Sequence, residues 1–426
     1  MRLCRLSIGV LVASAAHLAL AAAGDGDDES RNALGRLALG AILQNGRDIL
    51  GGGGGGVDDE SLFSSSSASP PAATSSRYAN WMAALPDSVP LARLTLPGTH
   101  DAATWNYTQA AQDALAPITA TRCPGGTAPG PARVYRCQTR GVADSLDRGV
   151  RFLDVRFAPD PSGAARLALW HGPALLSARA GLGDVLFGLY AWLDAHPTEA
   201  VVLSLQHERG TRANATTSDA GAQRMLFDEL TSPAARRYVH QGRGALGTLG
   251  EVRGKVVLFR RFDLDALAPG AEAAMPGLHM SPAQWVDNAR SGFELVYNGT
   301  TGERAHVEDY YHPGDEYASV AENIDAKFEA VETHLRRAAA GEFGSLFVTF
   351  TSGTHVEVEP PVYPDVMALG PGGGGLGTTG PPAAAVRGIN HRLVGLLREM
   401  KGRRLGVVVM DFFEEPRELI DLLLDF

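Results

Sequence analysis

A chain of 426 residues is long enough for two or three domains, or for one α/β barrel with long loops. With 45% hydrophobic and 20% charged residues it can bury a core, and its 50 Gly and 25 Pro imply many turns and exclude a helical bundle or coiled coil. The formal net charge of -10 excludes a basic surface for a polyanion, so no nucleic acid and no anionic bilayer is attracted electrostatically.

At the N-terminus, Met1 to Arg5 carries two arginines, the apolar run Leu6 to Leu20 follows, and Ala21-Ala22-Ala23 offers small residues for cleavage. This order predicts a secretory signal peptide over 1–23 and a secreted protein, because a membrane anchor needs a longer run to cross a ~30 Å hydrocarbon core. Residues 24–76 include six glycines (Gly51 to Gly56) and four serines (Ser64 to Ser67). Such a segment buries too little apolar surface to offset the entropy of ordering, which predicts a disordered leader. Three cysteines are too few for a disulfide scaffold or a cysteine zinc site. After export, Cys123 and Cys137 could close one disulfide contributing about 3 kcal/mol. Sequons at Asn106, Asn214 and Asn298 agree with that route. No second hydrophobic span follows, and the acidic segment from Glu418 to Phe426 is too short for a lipid-anchor signal, so no transmembrane anchor is expected.

Residues 77–426 read as the folded unit. Strands are predicted over 92–96, 150–157, 167–170, 200–205, 255–259, 346–350 and 405–410, several of them continuous apolar runs suited to a parallel sheet buried on both faces. Between them, Val185, Leu189 and Trp192 or Leu193 recur at helical spacing behind the cap candidate Asp184, and Pro197 prevents continuation. Val320, Ile324, Phe328, Val331 and Leu335 form a second helical stripe. The Gly/Pro-rich run from Gly370 to Pro382 predicts a long surface loop. This alternation implies a distorted (β/α)8-type barrel or a doubly wound sheet.

Polar residues gather just after the strands: His100 and Asp101, Asp154 and Arg156, His171, then Gln206, His207 and Glu208, Arg260 and Arg261, and finally Asp411. A barrel carries its active site at that rim. The residue types point to phosphoryl chemistry, since a guanidinium matches phosphate oxygens and two imidazoles can divide general base and general acid duties. An aspartate can orient one imidazole and stabilise its cation. Asp101, Asp154 and Glu208 could alternatively ligate a metal, although Arg156 would place a fixed positive charge there.

The ordered set Pro97-Gly98-Thr99-His100-Asp101, Gly149-Val-Arg-Phe-Leu-Asp154-Val-Arg156 and Trp170-His171-Gly172-Pro173 resembles the catalytic X region of phosphatidylinositol-specific phospholipase C, chiefly the small bacterial-type enzymes. The resemblance runs from Trp81 to Asp411. It implies a TIM barrel in which His100 is the general base, held by Asp411, and His171 the general acid, supported by Asp101. Arg156 would meet the phosphate in place of the acidic metal ligand of calcium-dependent relatives, so that neither metal nor cofactor is implied. Arg261 and Asp309 would bind inositol hydroxyls, and Tyr311 would stack on the ring. The implied partner is a phospholipid met transiently at a membrane surface by a monomer. The sequence departs from the pattern at Gln206, where a lysine is usual, at Phe157, where a small residue is common, and at Trp170, which replaces the first of a His-His pair. Two other readings are a metal-dependent phosphodiesterase resembling glycerophosphodiesterases or spider-venom-type phospholipases D, and a secreted inositide-binding module without turnover.

Overall fold

The computed structural model describes residues 75–119, 130–208, 217–341, 345–372 and 386–425. The expected signal peptide, nearly all of the leader, Cys123, Asn214 and most of the Gly/Pro-rich run lie outside these residues. Cys137 is buried. Asn298 already donates its side-chain amide to Gly244 O and to Glu303 Oε2. No helix among the described residues is long and apolar enough to cross a membrane.

The strands are β1 (Leu96–Thr99), β2 (Phe152–Pro159), β3 (Leu167–His171), β4 (Ala174–Leu175), β5 (Ala200–His207), β6 (Lys255–Arg261), β7 (Leu278–His279), β8 (Phe293–Asn298), β9 (Glu303–Glu308), β10 (Leu346–Phe350) and β11 (Val407–Met410). They pair in the order β7-β6-β5-β2-β1-β11-β10-β9-β8, with β3 and β4 forming a hairpin beside β2. Every junction on this path is parallel except β8–β9. Leaving out β8 and the β3–β4 hairpin, parallel strands curl into a barrel whose seam lies between β7 and the β8–β9 hairpin, where no ladder forms among the described residues. This is the distorted (β/α)8-type architecture, and the doubly wound alternative is excluded.

Three sequence expectations need correction. The first strand begins at Leu96 rather than at residue 92, because Leu91–Arg93 forms a 3-10 turn behind Pro90. Pro97 is tolerated inside β1 because alternate amides serve the ladder: Leu96 N–H donates to Gly406 O and His100 N–H to Met410 O, while Pro97 offers only its carbonyl, to Arg151 N–H. Asp184 is not the cap of its helix (Leu182–Ala195); it stands three residues after the cap Gly181 and accepts that residue's N–H at 2.9 Å. The antiparallel β8 and its hairpin were not anticipated. The stripe from Val320 to Leu335 lies in the helix Val320–Ala340, as expected, with Ile324, Val331 and Leu335 buried.

Alternation along the strands divides the core in two. Leu153, Val155, Val201, Leu203, Val256 and Leu258 face outward beneath the helices. Leu96, Phe152, Val202, Val257, Val307, Val348 and Val409 fill the barrel, which Met82, Leu91 and Leu249 close at one end. A Cβ on Gly98 would lie 3.0 Å from Phe152 Cβ, so a glycine lets β1 approach β2 inside this crowded layer. Arg151, fully buried beside β2, donates to Glu199 and to the carbonyls of Leu146, Val150, Tyr78 and Ala79, tying the N-terminal segment to the barrel wall.

Candidate active site

The register that turns Leu96, Phe152, Val202 and Val257 inward does the same two and four residues further on. Gly98 pairs with Phe152 and Val409, Arg156 pairs with Gln206, and Gln206 pairs with Arg261. By this parity His100, Asp154, Arg156, Gln206, Arg261, Asp309 and Asp411 share the inward face at the C-terminal mouth. His171 reaches the same place from the end of β3. Two sharp turns complete the mouth. Asp101 (φ 42°) and Phe412 (φ 47°) both adopt left-handed backbone, which stops β1 and β11 abruptly behind His100 and Asp411. Gln138 bridges the two strand ends by donating to His100 O and Met410 O, each at 2.8 Å.

His100 Nδ1 is 2.9 Å from Asp411 Oδ1, and its Nε2 is 2.9 Å from Arg156 Nη2. A guanidinium can only donate, so Nε2 carries the lone pair and Nδ1 the proton given to Asp411. His171 Nδ1 lies 2.9 Å from Tyr135 O, which can only accept, so Nδ1 is the protonated nitrogen there too. Asp101 Oδ2 stands between the imidazoles, 3.1 Å from His100 Nε2 and 3.2 Å from His171 Nε2, whose ring centroids are 5.8 Å apart. Arg156 is ringed by carboxylates: Nη1 meets Glu208 Oε1 at 2.9 Å, and Nε lies 3.3 Å from Asp101 Oδ1 and 3.6 Å from Asp154 Oδ2. The guanidinium therefore occupies the place that Asp101, Asp154 and Glu208 would otherwise offer to a cation. Side chains of His100, His171 and Arg156 remain 13%, 16% and 17% exposed, whereas Asp101, Asp154 and Asp411 are at most 1% exposed. The two imidazoles and the guanidinium thus face the opening and the carboxylates stand behind them.

A second layer holds Arg261. Its guanidinium lies 3.7 Å from the centre of the Trp285 ring, 3.4 Å from Asp154 Oδ1 and 3.9 Å from Asp309 Oδ2, and Trp285 Nε1 donates to Asp309 Oδ2 at 3.0 Å. Gln206 Oε1 is buried there without a hydrogen-bond partner among the described residues. Tyr311 stands exposed at the rim, its hydroxyl donating to Asp287 at 3.1 Å. All the expected site residues thus lie at one mouth. Trp285 was missed, and its only signal was a lone tryptophan in a polar segment.

Burial dominates the electrostatics. It holds His100 well below the ordinary imidazole range and His171 down to about 4, with Arg156 pushing both the same way. Burial likewise raises Asp101 and Asp411 well above the usual carboxylate range, Asp411 further through the charge of Asp101. Against its own burial, Arg156 is held cationic by Asp101, Glu208 and Asp154.

Two of the three departures from the expected pattern, Phe157 and Trp170, resolve as packing. Phe157 faces outward, fully buried, with its ring 5.3 Å from His207 and 6.1 Å from Phe262. Trp170 lies in the outer core. His207 alternates away from the mouth beside Phe157, so His207→Ala should lower turnover far less than loss of either mouth histidine. A phosphodiesterase assay on the purified variant checks this.

No protein-family model matches the chain. The 1-phosphatidylinositol phosphodiesterase of Staphylococcus aureus is 26% identical over 277 residues, covering 64% of this chain and 74% of that protein. The protein of the same name from Listeria monocytogenes is 25% identical over 344 residues, covering 79% and 81%. A solved structure of a double mutant of the S. aureus phosphatidylinositol-specific phospholipase C superposes with a TM-score of 0.57 at 21% identity, over 82% of this chain and 97% of that one. In sequence this chain is similar to the 1-phosphatidylinositol phosphodiesterases of these two bacteria, and in fold it is similar to the solved phosphatidylinositol-specific phospholipase C.

Proposed function

We propose that the protein is a secreted, metal-independent phosphodiesterase that cleaves phosphatidylinositol, or a glycosyl-phosphatidylinositol anchor, and leaves the phosphate on inositol as a 1,2-cyclic ester. The observation that carries this reading is the pair of imidazoles 5.8 Å apart on either side of Asp101, with Arg156 against one of them.

His100 Nε2, bare in this tautomer, takes the proton of the inositol 2-hydroxyl. The freed 2-oxygen attacks phosphorus, and the bond to the diacylglycerol oxygen breaks. His171 Nε2 delivers a proton to that leaving oxygen. Asp411 holds the imidazolium formed on His100. His171 Nε2 and Asp101 Oδ2 are 3.2 Å apart, and the imidazole tautomer leaves a lone pair facing the carboxyl group. One shared proton satisfies both, and it is the proton that the leaving oxygen requires. Arg156 already contacts His100 Nε2, so it lies within reach of a phosphate brought to that nitrogen, whose charge it neutralises as the transition state forms.

Arg261, Asp309 and the unpartnered Gln206 Oε1 line the mouth as hydrogen-bonding groups for the inositol hydroxyls, and Tyr311 offers a ring for its apolar face. Gln206 is neutral, and the neighbouring guanidiniums are already matched by Asp101, Asp154, Glu208 and Asp309. Phosphates on the inositol ring should gain nothing here. Turnover by the purified protein on phosphatidylinositol tests the activity. On mixed vesicles, phosphatidylinositol should be consumed before its bisphosphate; equal or faster cleavage of the bisphosphate would refute this account of Gln206.

A further inference from the structure

Beside the mouth, and outside the catalytic set, three potential metal ligands converge from two segments. His312 follows Tyr311 after β9, and His355 and Glu357 lie on the segment after β10. One ligand atom from each lies within 4.8 Å of the others. His312 Nε2 is 3.1 Å from Glu357 Oε2, and the two imidazole centroids are 4.5 Å apart.

His355 is the fixed member. It is 1% exposed, and a buried amide determines its tautomer. Asn323 donates its Nδ2 hydrogens to Tyr317 O and Ser319 O, both at 2.9 Å, which leaves its Oδ1 to accept the His355 Nδ1 proton at 2.7 Å. His355 Nε2 therefore carries the lone pair, and a carboxylate oxygen, Asp315 Oδ1, stands 3.9 Å away. A lone pair facing a carboxylate is an arrangement that a cation satisfies. An imidazole whose other nitrogen donates to a side-chain or backbone oxygen is also the usual posture of a histidine metal ligand.

We propose that His355, His312 and Glu357 bind a divalent cation of the zinc class, with Asp315 or water as fourth ligand. Two imidazoles and a carboxylate suit zinc, whereas calcium and magnesium favour all-oxygen sets. Tetrahedral bonds of about 2.0–2.1 Å require the ligand atoms to draw together. His312 and Glu357, with side chains 32% and 63% exposed, would have to turn inward for this. The backbone beneath is already tied, since Thr354 N–H donates to Tyr311 O at 2.8 Å and His355 exchanges hydrogen bonds with Val362 at 2.8 and 2.9 Å. The site is independent of the catalytic reading, although it adjoins Tyr311.

The test is titration of the full-length protein with zinc against a chromophoric chelator, together with the visible absorption of its cobalt complex. One zinc per chain is expected, and cobalt should give the intense bands of a four-coordinate site. His312→Ala and Glu357→Gln should each weaken zinc binding about tenfold or more, and His312→Ala should abolish the cobalt bands, with circular dichroism unchanged. Glu357 is exposed and His312 half-buried at the surface, so neither replacement opens the core. No stoichiometric zinc, or zinc binding indifferent to both substitutions, overturns the proposal. Loss of binding in Cys137→Ser instead would also overturn it, by moving the metal to His100, Asp101 and Cys137.

Discussion

Alanine at His100 or at His171 should lower turnover of phosphatidylinositol by about 10²-fold or more while the native fold is retained. Each replacement removes one of two proton transfers that must both occur, so the double variant should fall little below the worse single one. The pH profile separates the two roles. His100 works unprotonated, so activity is lost as pH falls through its pKa. His171 works protonated, so activity is lost as pH rises through its own. In the free protein, burial and then Arg156 place the His171 pKa at about 4, which leaves little of the acid form at neutral pH. A bound phosphate anion offsets Arg156 and raises that pKa. The alkaline limb of kcat, which reports the complex, should therefore lie at higher pH than that of kcat/KM, which reports the free enzyme. Near wild-type turnover in a well-folded single variant would remove that histidine from the mechanism.

Arg156→Ala should lower kcat by about 10²–10³-fold, the scale of losing a preorganised partner of the transition-state charge. Arg156→Lys should recover only part, because an ammonium cannot donate two parallel hydrogen bonds to phosphate oxygens. Arg156→Asp adds a fourth carboxylate to Asp101, Asp154 and Glu208. Catalysis should be crippled, and calcium, which takes oxygen ligands, should restore a fraction of it. Thermal unfolding recorded beside the kinetics separates chemistry from the repulsion left among unpaired carboxylates. Full activity in Arg156→Ala would contradict the assignment.

Much of the site was legible because strand parity is simple. Asp154 and Arg156, two residues apart on one strand, had to share a face, and the apolar runs before His100, Gln206, Arg261 and Asp411 located the rim. The same parity separates His207 from Gln206. What the sequence concealed depends on tertiary contact. Trp285 acquires its role from Arg261, which stacks on it, and from Asp309, which accepts its N–H. Glu208 was a candidate metal ligand in the sequence, whereas in the fold it is a partner of Arg156. Gln138 acts by joining β1 to β11, strands distant in the chain. The β8–β9 hairpin escaped notice because its inward face is short, Phe293 and Leu295 pairing with Val307 and Ala305, while Glu294 and Arg304 take outward positions, as suits an exposed seam.

An intramolecular attack organised by His100 and Arg156 would be read out by phosphorus NMR of the first product formed from phosphatidylinositol with excess chelator present. Attack by the neighbouring 2-hydroxyl has an effective molarity far above that of water. Inositol 1,2-cyclic phosphate should be the first signal, at a rate the chelator leaves unchanged. A linear inositol phosphate appearing first would contradict the intramolecular attack, and loss of activity on chelation would contradict the role given to Arg156.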